Sequence, residues 1–192
     1  MKKQKMLLHI CCAPCSSYVI EHLYNTFDIT AYFYNPNIYP NEEYEHRRNE
    51  IRNFYSRFLP AKNIQLIIDN PRKGYKKYLE SIDIKNHPEY ANEPEKGERC
   101  YKCYLFRMEK AFKYTKQNNF DCVSTTLSIS PYKSAESILN IGYFLEKKYD
   151  VQFYDEVFAD GFQRSRDISK EYGLYRQQYC GCSFSMKTAV DD

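Results

Sequence analysis

Apolar residues in this 192-residue chain fall in short runs, separated by longer stretches with helical spacing. Lys5 to Ile10 reads as a short buried strand running into a turn, Cys11 to Cys15, with a helix from Ser16 to Asn25 behind it. Ile29 to Tyr34 predicts a second strand, and Asn35-Pro36-Asn37 supplies turn chemistry after it. Asn41 is placed to cap a charged helix through Phe58, with Glu42 and Glu43 in its first turn. Ile64 to Ile68 predicts a third strand; Asn70-Pro71 then breaks the chain ahead of a short helix to Ser81. Residues 82–98 are polar and carry Pro88, Pro94 and Gly97, so they read as a loop. Arg99 to Lys116 predicts a helix with Leu105, Met108 and Phe112 as its core stripe. Asp121 to Leu127 is the next predicted strand, Ser130-Pro131 opens a helix to Lys148, and Val151 to Tyr154 is a last strand. Gly161 to Asp167 reads as a loop, and Glu171 to Gln178 as a helix that delivers Cys180-Gly181-Cys182.

Strands alternating with helices argue for an α/β fold, a mostly parallel sheet with helices on both faces. With no internal repeat and no low-complexity linker, residues 1–192 read as one domain with a cysteine-bearing C-terminal segment. Active sites of such sheets lie at the carboxyl ends of the strands, where the first cysteine group falls. The net charge of +3 does not mark a nucleic-acid binder; a local basic face would have to do so. The 20 tyrosines suit base stacking, although most are expected to be ordinary packing residues. No apolar run is long enough to span a membrane, and the N-terminus lacks the pattern of a secretory leader, so a cytoplasmic protein is expected. In a reducing compartment, eight cysteines read as metal ligands or redox groups rather than structural disulfides.

Those cysteines form three groups. Cys11-Cys12-Ala13-Pro14-Cys15 sits on a strand-to-helix turn, where backbone N–H groups and the helix dipole favour thiolate. Cys100-Tyr101-Lys102-Cys103 opens a second helix, and Cys180-Gly181-Cys182 is the third group; Cys122 stands alone and reads as a small buried hydrophobe. Three chemistries compete. A structural zinc site prefers four ligands around one ion, which the adjacent Cys11 and Cys12 serve poorly. A 4Fe–4S cluster takes one thiolate per iron, so adjacent cysteines can reach different irons; this favours Cys11, Cys12, Cys100 and Cys103. Thiol–disulfide exchange at Cys12-Ala13-Pro14-Cys15 is the third reading.

The ordered motifs resemble one family. Leu8-His9-Ile10-Cys11-Cys12-Ala13-Pro14-Cys15 comes first, followed by Tyr34-Asn35-Pro36-Asn37-Ile38 with Glu43-Tyr44. Arg99-Cys100-Tyr101-Lys102-Cys103-Tyr104 with Arg107 is next, then Thr125-Thr126-Leu127-Ser128-Ile129-Ser130-Pro131-Tyr132. Tyr175-Arg176-Gln177-Gln178-Tyr179-Cys180-Gly181-Cys182 with Ser185 ends the series. Together, from Leu8 to Ser185, they resemble the QueH-type epoxyqueuosine reductases. The resemblance implies an adenine nucleotide hydrolase-like, Rossmann-like fold. It implies reduction of epoxyqueuosine to queuosine at the tRNA wobble position, without cobalamin and with an external electron donor. It also implies a 4Fe–4S cluster on Cys11, Cys12, Cys100 and Cys103, and a second metal, iron, assigned to Cys180 and Cys182 with Cys15 as a third ligand. A redox disulfide between Cys180 and Cys182 is the alternative use of that pair. Cysteines occupy the turn where relatives of this fold carry a glycine-rich loop, so ATP use is not expected. Outside the family, the competing readings are a cytosolic thiol–disulfide oxidoreductase and a zinc-stabilised RNA-binding module.

Opening an epoxide to an alkene takes two electrons and two protons and releases water, so a Lewis acid at the oxygen would assist. Tyr179 is the expected proton donor. His9 is a weaker candidate that reads equally as a hydrogen-bonded core histidine, and Asp160 as a turn cap. An anticodon-loop base can be splayed into a pocket. Tyr34, Asn35, Asn37 and Tyr132 are expected to rim it, with Arg164, Arg166 and Arg176 on phosphate. Arg47, Arg48 and Arg52 serve either as phosphate contacts or as partners of Glu43 and Glu45.

Overall fold

The structure, a computed structural model, describes residues 2–69 and 73–186. The expected break at Asn70-Pro71 lies outside the described residues. Five parallel strands form one sheet in the order β3-β2-β1-β4-β5. These are β1 (Gln4–Ile10), β2 (Phe27–Phe33), β3 (Gln65–Ile68), β4 (Cys122–Thr125) and β5 (Gln152–Phe153). β1 is central, and Met6 through Ile10 are buried on both faces, as a strand covered by helices on either side requires. From β1 the chain steps outward to β2 and β3, then crosses back to β4. The β1/β4 boundary is therefore the switch point of the sheet, the place at whose carboxyl ends folds of this kind bind ligands.

Helices α1 (Ala13–Leu23), α2 (Asn41–Arg57) and α6 (Phe162–Glu171) pack together, and α4 (Glu98–Gln117) packs on α5 (Ala135–Tyr149). α3 (Gly74–Ser81) lies against α4, and a single turn, α7 (Ser183–Met186), follows the last cysteine pair. On α4, Met108 and Phe112 are buried as expected and Leu105 is half-buried. Its first turn is capped by the Glu93 carboxylate, which accepts from the N–H groups of Glu98 at 2.9 Å and Arg99 at 2.7 Å.

Four local expectations are corrected. The supposed loop at Gly161–Asp167 is mostly helix α6; its buried stripe is Ser165, Ile168 and Ser169, and serines disguise an apolar face in the sequence. Glu171–Gln178 is coil beyond that helix: Gly173, at φ +61°, ends α6, with Leu174 N–H closing on Ser169 O at 2.8 Å. Arg164 and Arg166 thus stand on a helix and not in a loop. Ser130-Pro131 does not open α5. It forms a turn, Lys133 N–H to Ser130 O at 3.1 Å, and Ser134 caps the helix by accepting from Ser137 N–H at 3.2 Å. Asn41 is the first helical residue of α2, and the cap position is Pro40.

Candidate functional site

The β1–α1 turn carries three thiols to the switch point. Cys12 is the N-cap of α1, and its sulfur accepts from Cys15 N–H at 3.4 Å. The Cys11 N–H donates to Thr126 Oγ1, just past β4, at 3.3 Å. One turn of helix separates Cys12 from Cys15, so both project to the same side. As a result the sulfurs of Cys11, Cys12 and Cys15 lie within 4.8 Å of one another, all buried. Hydrogen bonds from Cys12 and then Cys15 hold the Cys11 thiol well below its ordinary range, with smaller help from Lys133 and Thr126. The same bonding to Cys11 pushes Cys12 up to about 12 and Cys15 well upward.

The other two groups face each other from α4 and the C-terminal coil. Cys103 and Cys182 are buried in one cluster with Tyr78 and Ile82. Burial pushes Cys103 up to about 12 and raises Cys100, and both also sense Cys180 and Cys182. Side chains join the two halves. Gln177 Nε2 donates to Cys12 Sγ at 3.2 Å. Lys133 senses Cys180, Cys11 and Cys15, and Arg107 senses Cys103, Cys180 and Cys11. Cysteines from three distant segments thus bear on Arg107, and from two of them on Lys133, while among the described residues only Cys11, Cys12 and Cys15 lie within 4.8 Å of one another.

Arg47 holds the C-terminal arm of the site. Only 3% exposed, it donates from Nε to Glu43 at 2.7 Å, from Nη1 to Cys180 O at 3.0 Å and from Nη2 to Tyr179 O at 3.1 Å. Tyr175 OH adds to Glu43 at 3.0 Å, and Tyr39 N–H donates to Gly181 O at 2.8 Å. Gly181 has φ +139°, a region L side chains rarely adopt, with Arg47 and Asn37 against the place a Cβ would take. Arg47 and Arg48 pair with Glu43 and Glu45, respectively.

The remaining expected residues scatter by depth. Tyr34, Asn35 and Asn37 are buried and form the inner wall rather than a rim. Asn35 Nδ2 donates to Ile10 O at 2.8 Å, and its Oδ1 accepts from Arg107 Nη1 at 3.0 Å. Tyr179 donates to the Tyr39 carbonyl beneath the Arg47 guanidinium, and burial pushes its hydroxyl up to about 12. His9 is fully buried between Thr125 Oγ1 at 2.9 Å and Tyr34 O at 3.2 Å, and burial lowers it to about 4. It is a neutral core histidine, as one of its two readings had it. Tyr132 is 67% exposed, and Arg166 and Arg176 are exposed; Arg164 is paired with Glu21 on α1 at 2.6 and 2.9 Å. Cys122 is buried in β4, away from the basin, as expected. All eight cysteines are free, so the alternative Cys180–Cys182 disulfide is not formed. A surface cleft of about 610 Å³, lined by Lys3, Tyr24, Asp28 and Leu59, lies at the opposite end of the strands.

Sequence reasoning gave no role to Arg107, Lys133, Thr126, Gln177 or Arg47's backbone contacts. Arg107 left a signal in its spacing, since Cys100, Cys103 and Arg107 recur at helical spacing on one face of α4, and Thr126 and Gln177 lie within the ordered motifs. The site suits a metal or cluster: the donors are thiols, buried at Cys11, Cys12, Cys15, Cys103 and Cys182 and half-buried at Cys100 and Cys180, and two nitrogens of Arg107 lack partners among the described residues. No helix among the described residues is long and apolar enough to cross a membrane.

Fold and site together define an α/β protein with a parallel sheet and a buried cysteine trio, able to hold a metal, at its switch point. The model of a known family, described as epoxyqueuosine reductase QueH, matches residues 6–188. The epoxyqueuosine reductase QueH of Streptococcus pyogenes is 34% identical over 190 residues, 96% of this chain and 71% of the relative. That of Haemophilus influenzae is 38% identical over 95% of this chain and 72% of the relative, and that of Thermotoga maritima 34% over 94% and 90%. The chain belongs to the QueH family of epoxyqueuosine reductases and is an oxidoreductase. A crystal structure described as a predicted subunit of tRNA methyltransferase from Methanocaldococcus jannaschii shares the fold, with TM-score 0.51 and 13% identity over 86% of this chain and 75% of that one.

Proposed function

We propose that this enzyme reduces the epoxide of epoxyqueuosine to queuosine at the wobble position of tRNA, in the cytoplasm and with an external electron donor. Cys11, Cys12, Cys100 and Cys103 hold a 4Fe–4S cluster, and Cys180 and Cys182, with Cys15, hold a second metal, iron. The observation that carries the reading is the buried Cys11–Cys12–Cys15 trio at the switch point of the sheet, in a chain of this family, with Arg107 sensing both Cys11 and the Cys103 and Cys180 groups. When bound, the cluster supplies single electrons and the second metal a Lewis acid. The chain's own residues do the rest. Arg47, Glu43 and Tyr175 fix the Cys180–Cys182 arm, and burial keeps water from Cys11, Cys12, Cys15, Cys103 and Cys182. Lys133 presents an ammonium to Cys180, Cys11 and Cys15, where it can deliver a proton to a departing oxygen; Tyr179, already bound to a carbonyl, is the second donor. Tyr34, Asn35 and Asn37 wall the base site, Tyr132 stacks at its mouth, and Arg164, Arg166 and Arg176 meet phosphate.

Anaerobic purification followed by an absorption spectrum, iron, zinc and sulfide analysis, and turnover of tRNA bearing the epoxide tests this directly. Iron, sulfide, visible absorbance and loss of the epoxide are expected. A colourless protein with stoichiometric zinc, or one that reduces protein disulfides instead, replaces the reading. Cys180→Ser and Cys182→Ser should keep the cluster absorbance and lose turnover; full activity in both ends the second-metal assignment. Neutralising Arg164 and Arg166 together should weaken tRNA binding and flatten its salt dependence.

A further inference from the structure

Arg107 lies on α4, one helical turn beyond Cys103 and on the same face. It is 2% exposed. Its Nη1 donates to Asn35 Oδ1 at 3.0 Å, while Nε and Nη2 are buried with no hydrogen-bond partner. Among the described residues no carboxylate pairs with it, whereas Arg47, Arg48 and Arg164 each have one. Arg99 also differs, donating to Tyr90 O at 2.5 Å with its guanidinium over the Phe184 ring. The groups that bear on Arg107 are the sulfurs of Cys103, Cys180 and Cys11, the phenol of Tyr104 and, across the basin, the Lys133 ammonium. A buried guanidinium with two idle donors and no counter-ion is costly unless a negative partner arrives. Asn35 also donates to Ile10 O, so the guanidinium is tied to the end of β1, beside Cys11.

We propose that Arg107 is the buried counter-cation of the thiol basin, its Nε–H and Nη2–H donating to anionic sulfur of the bound group, thiolate or inorganic sulfide, and favouring that group's reduced state. The proposal rests on the cluster reading above and goes beyond it by assigning the residue that balances its charge. One-electron reduction by the external donor adds one negative charge to the bound group. Arg107 keeps its proton throughout and offsets that charge electrostatically. It is a positioning residue and exchanges neither electron nor proton with substrate.

The test uses the full chain in two states. In the anaerobically reconstituted protein, Arg107→Gln should keep iron and sulfide. At the wild-type midpoint its reduced-to-oxidised ratio should fall tenfold, a shift of 59 mV for a one-electron couple. Arg107→Lys should recover most of that loss. In the metal-free protein, the rate ratio of anionic iodoacetate to neutral iodoacetamide at Cys103 and Cys11, at one fixed pH, should drop about tenfold in Arg107→Gln and return in Arg107→Lys. An unchanged potential with full iron content, or an unchanged rate ratio, overturns the proposal. If wild-type protein binds neither iron nor sulfide, the cluster reading falls and the alkylation ratio still decides the role of Arg107. Should Arg107→Gln not fold, Asn35→Asp places a carboxylate on Nη1 and must lower the same ratio; no change there is equally fatal.

Discussion

Cys11, Cys12 and Cys15 stand on a turn bounded by a buried central strand and an eleven-residue helix; Cys180 and Cys182 stand on coil that joins neither sheet nor long helix. The first group is positioned by its own neighbours in sequence: the strand end, the N-cap geometry and the Pro14 that starts α1. The second is positioned by side chains more than 100 residues away, Arg47 above all. Thiols that must meet are thus brought together by one rigid support and one tethered arm. This difference suits the function proposed above, in which the site would admit a bulky base beside metal.

Arg47→Ala should separate the two regions most sharply. It removes three hydrogen bonds and leaves Glu43 without its cation, at a cost of about 3 kcal/mol. In urea titrations with hydrogen exchange, residues 175–182 should lose protection while β1 and α1 keep theirs; equal loss in both would erase the distinction.

His9 tests the rigid side. Its folded value of about 4 lies below the ordinary 6.5, so the unfolded chain binds more protons between those values. Stability is then full above pH about 6.5 and falls as pH drops toward about 4, by about 3 kcal/mol in total. His9→Gln should flatten that part of the pH profile, and a parallel profile in the variant counts against the assignment.

Gly181→Ala strains the tether without touching the turn. Its φ of +139° and the contacts at 3.2–3.3 Å predict a loss of about 1–3 kcal/mol, confined to exchange in the C-terminal arm. The smallest effect belongs to Thr126→Val, about 1 kcal/mol, through the lost bond to Cys11 N–H. There the Cys11 thiol loses the smallest of the influences that lower it and should shift upward, read as a higher midpoint in the pH profile of its alkylation, with that of Cys180 unchanged.

The elements with strong periodicity were legible in the chain. β1 announced itself as a continuous apolar run, and α4 through Met108 and Phe112. α6 was not, because its buried face is Ser165, Ile168 and Ser169, whose hydroxyls satisfy backbone carbonyls within the helix. The coil after Glu171 looked helical only because its charged and aromatic residues are spaced as a helix could use them, and Gly173 overrides that spacing. The cysteine groups were visible as spacing. Their bearing on shared cations was not, since contact between residues 12 and 177, or 47 and 180, leaves no trace in local pattern.

From sequence alone follow the α/β alternation, the three thiol groups and the strand-to-helix turn that carries the first of them, because each depends on interactions within a few residues. Tertiary structure alone decided that Arg47 grips the C-terminal arm, that Tyr34, Asn35 and Asn37 face inward, and that Arg107 ends buried with two idle donors among the sulfurs. Charge and burial are properties of what surrounds a side chain, and the surroundings exist only once distant segments have packed.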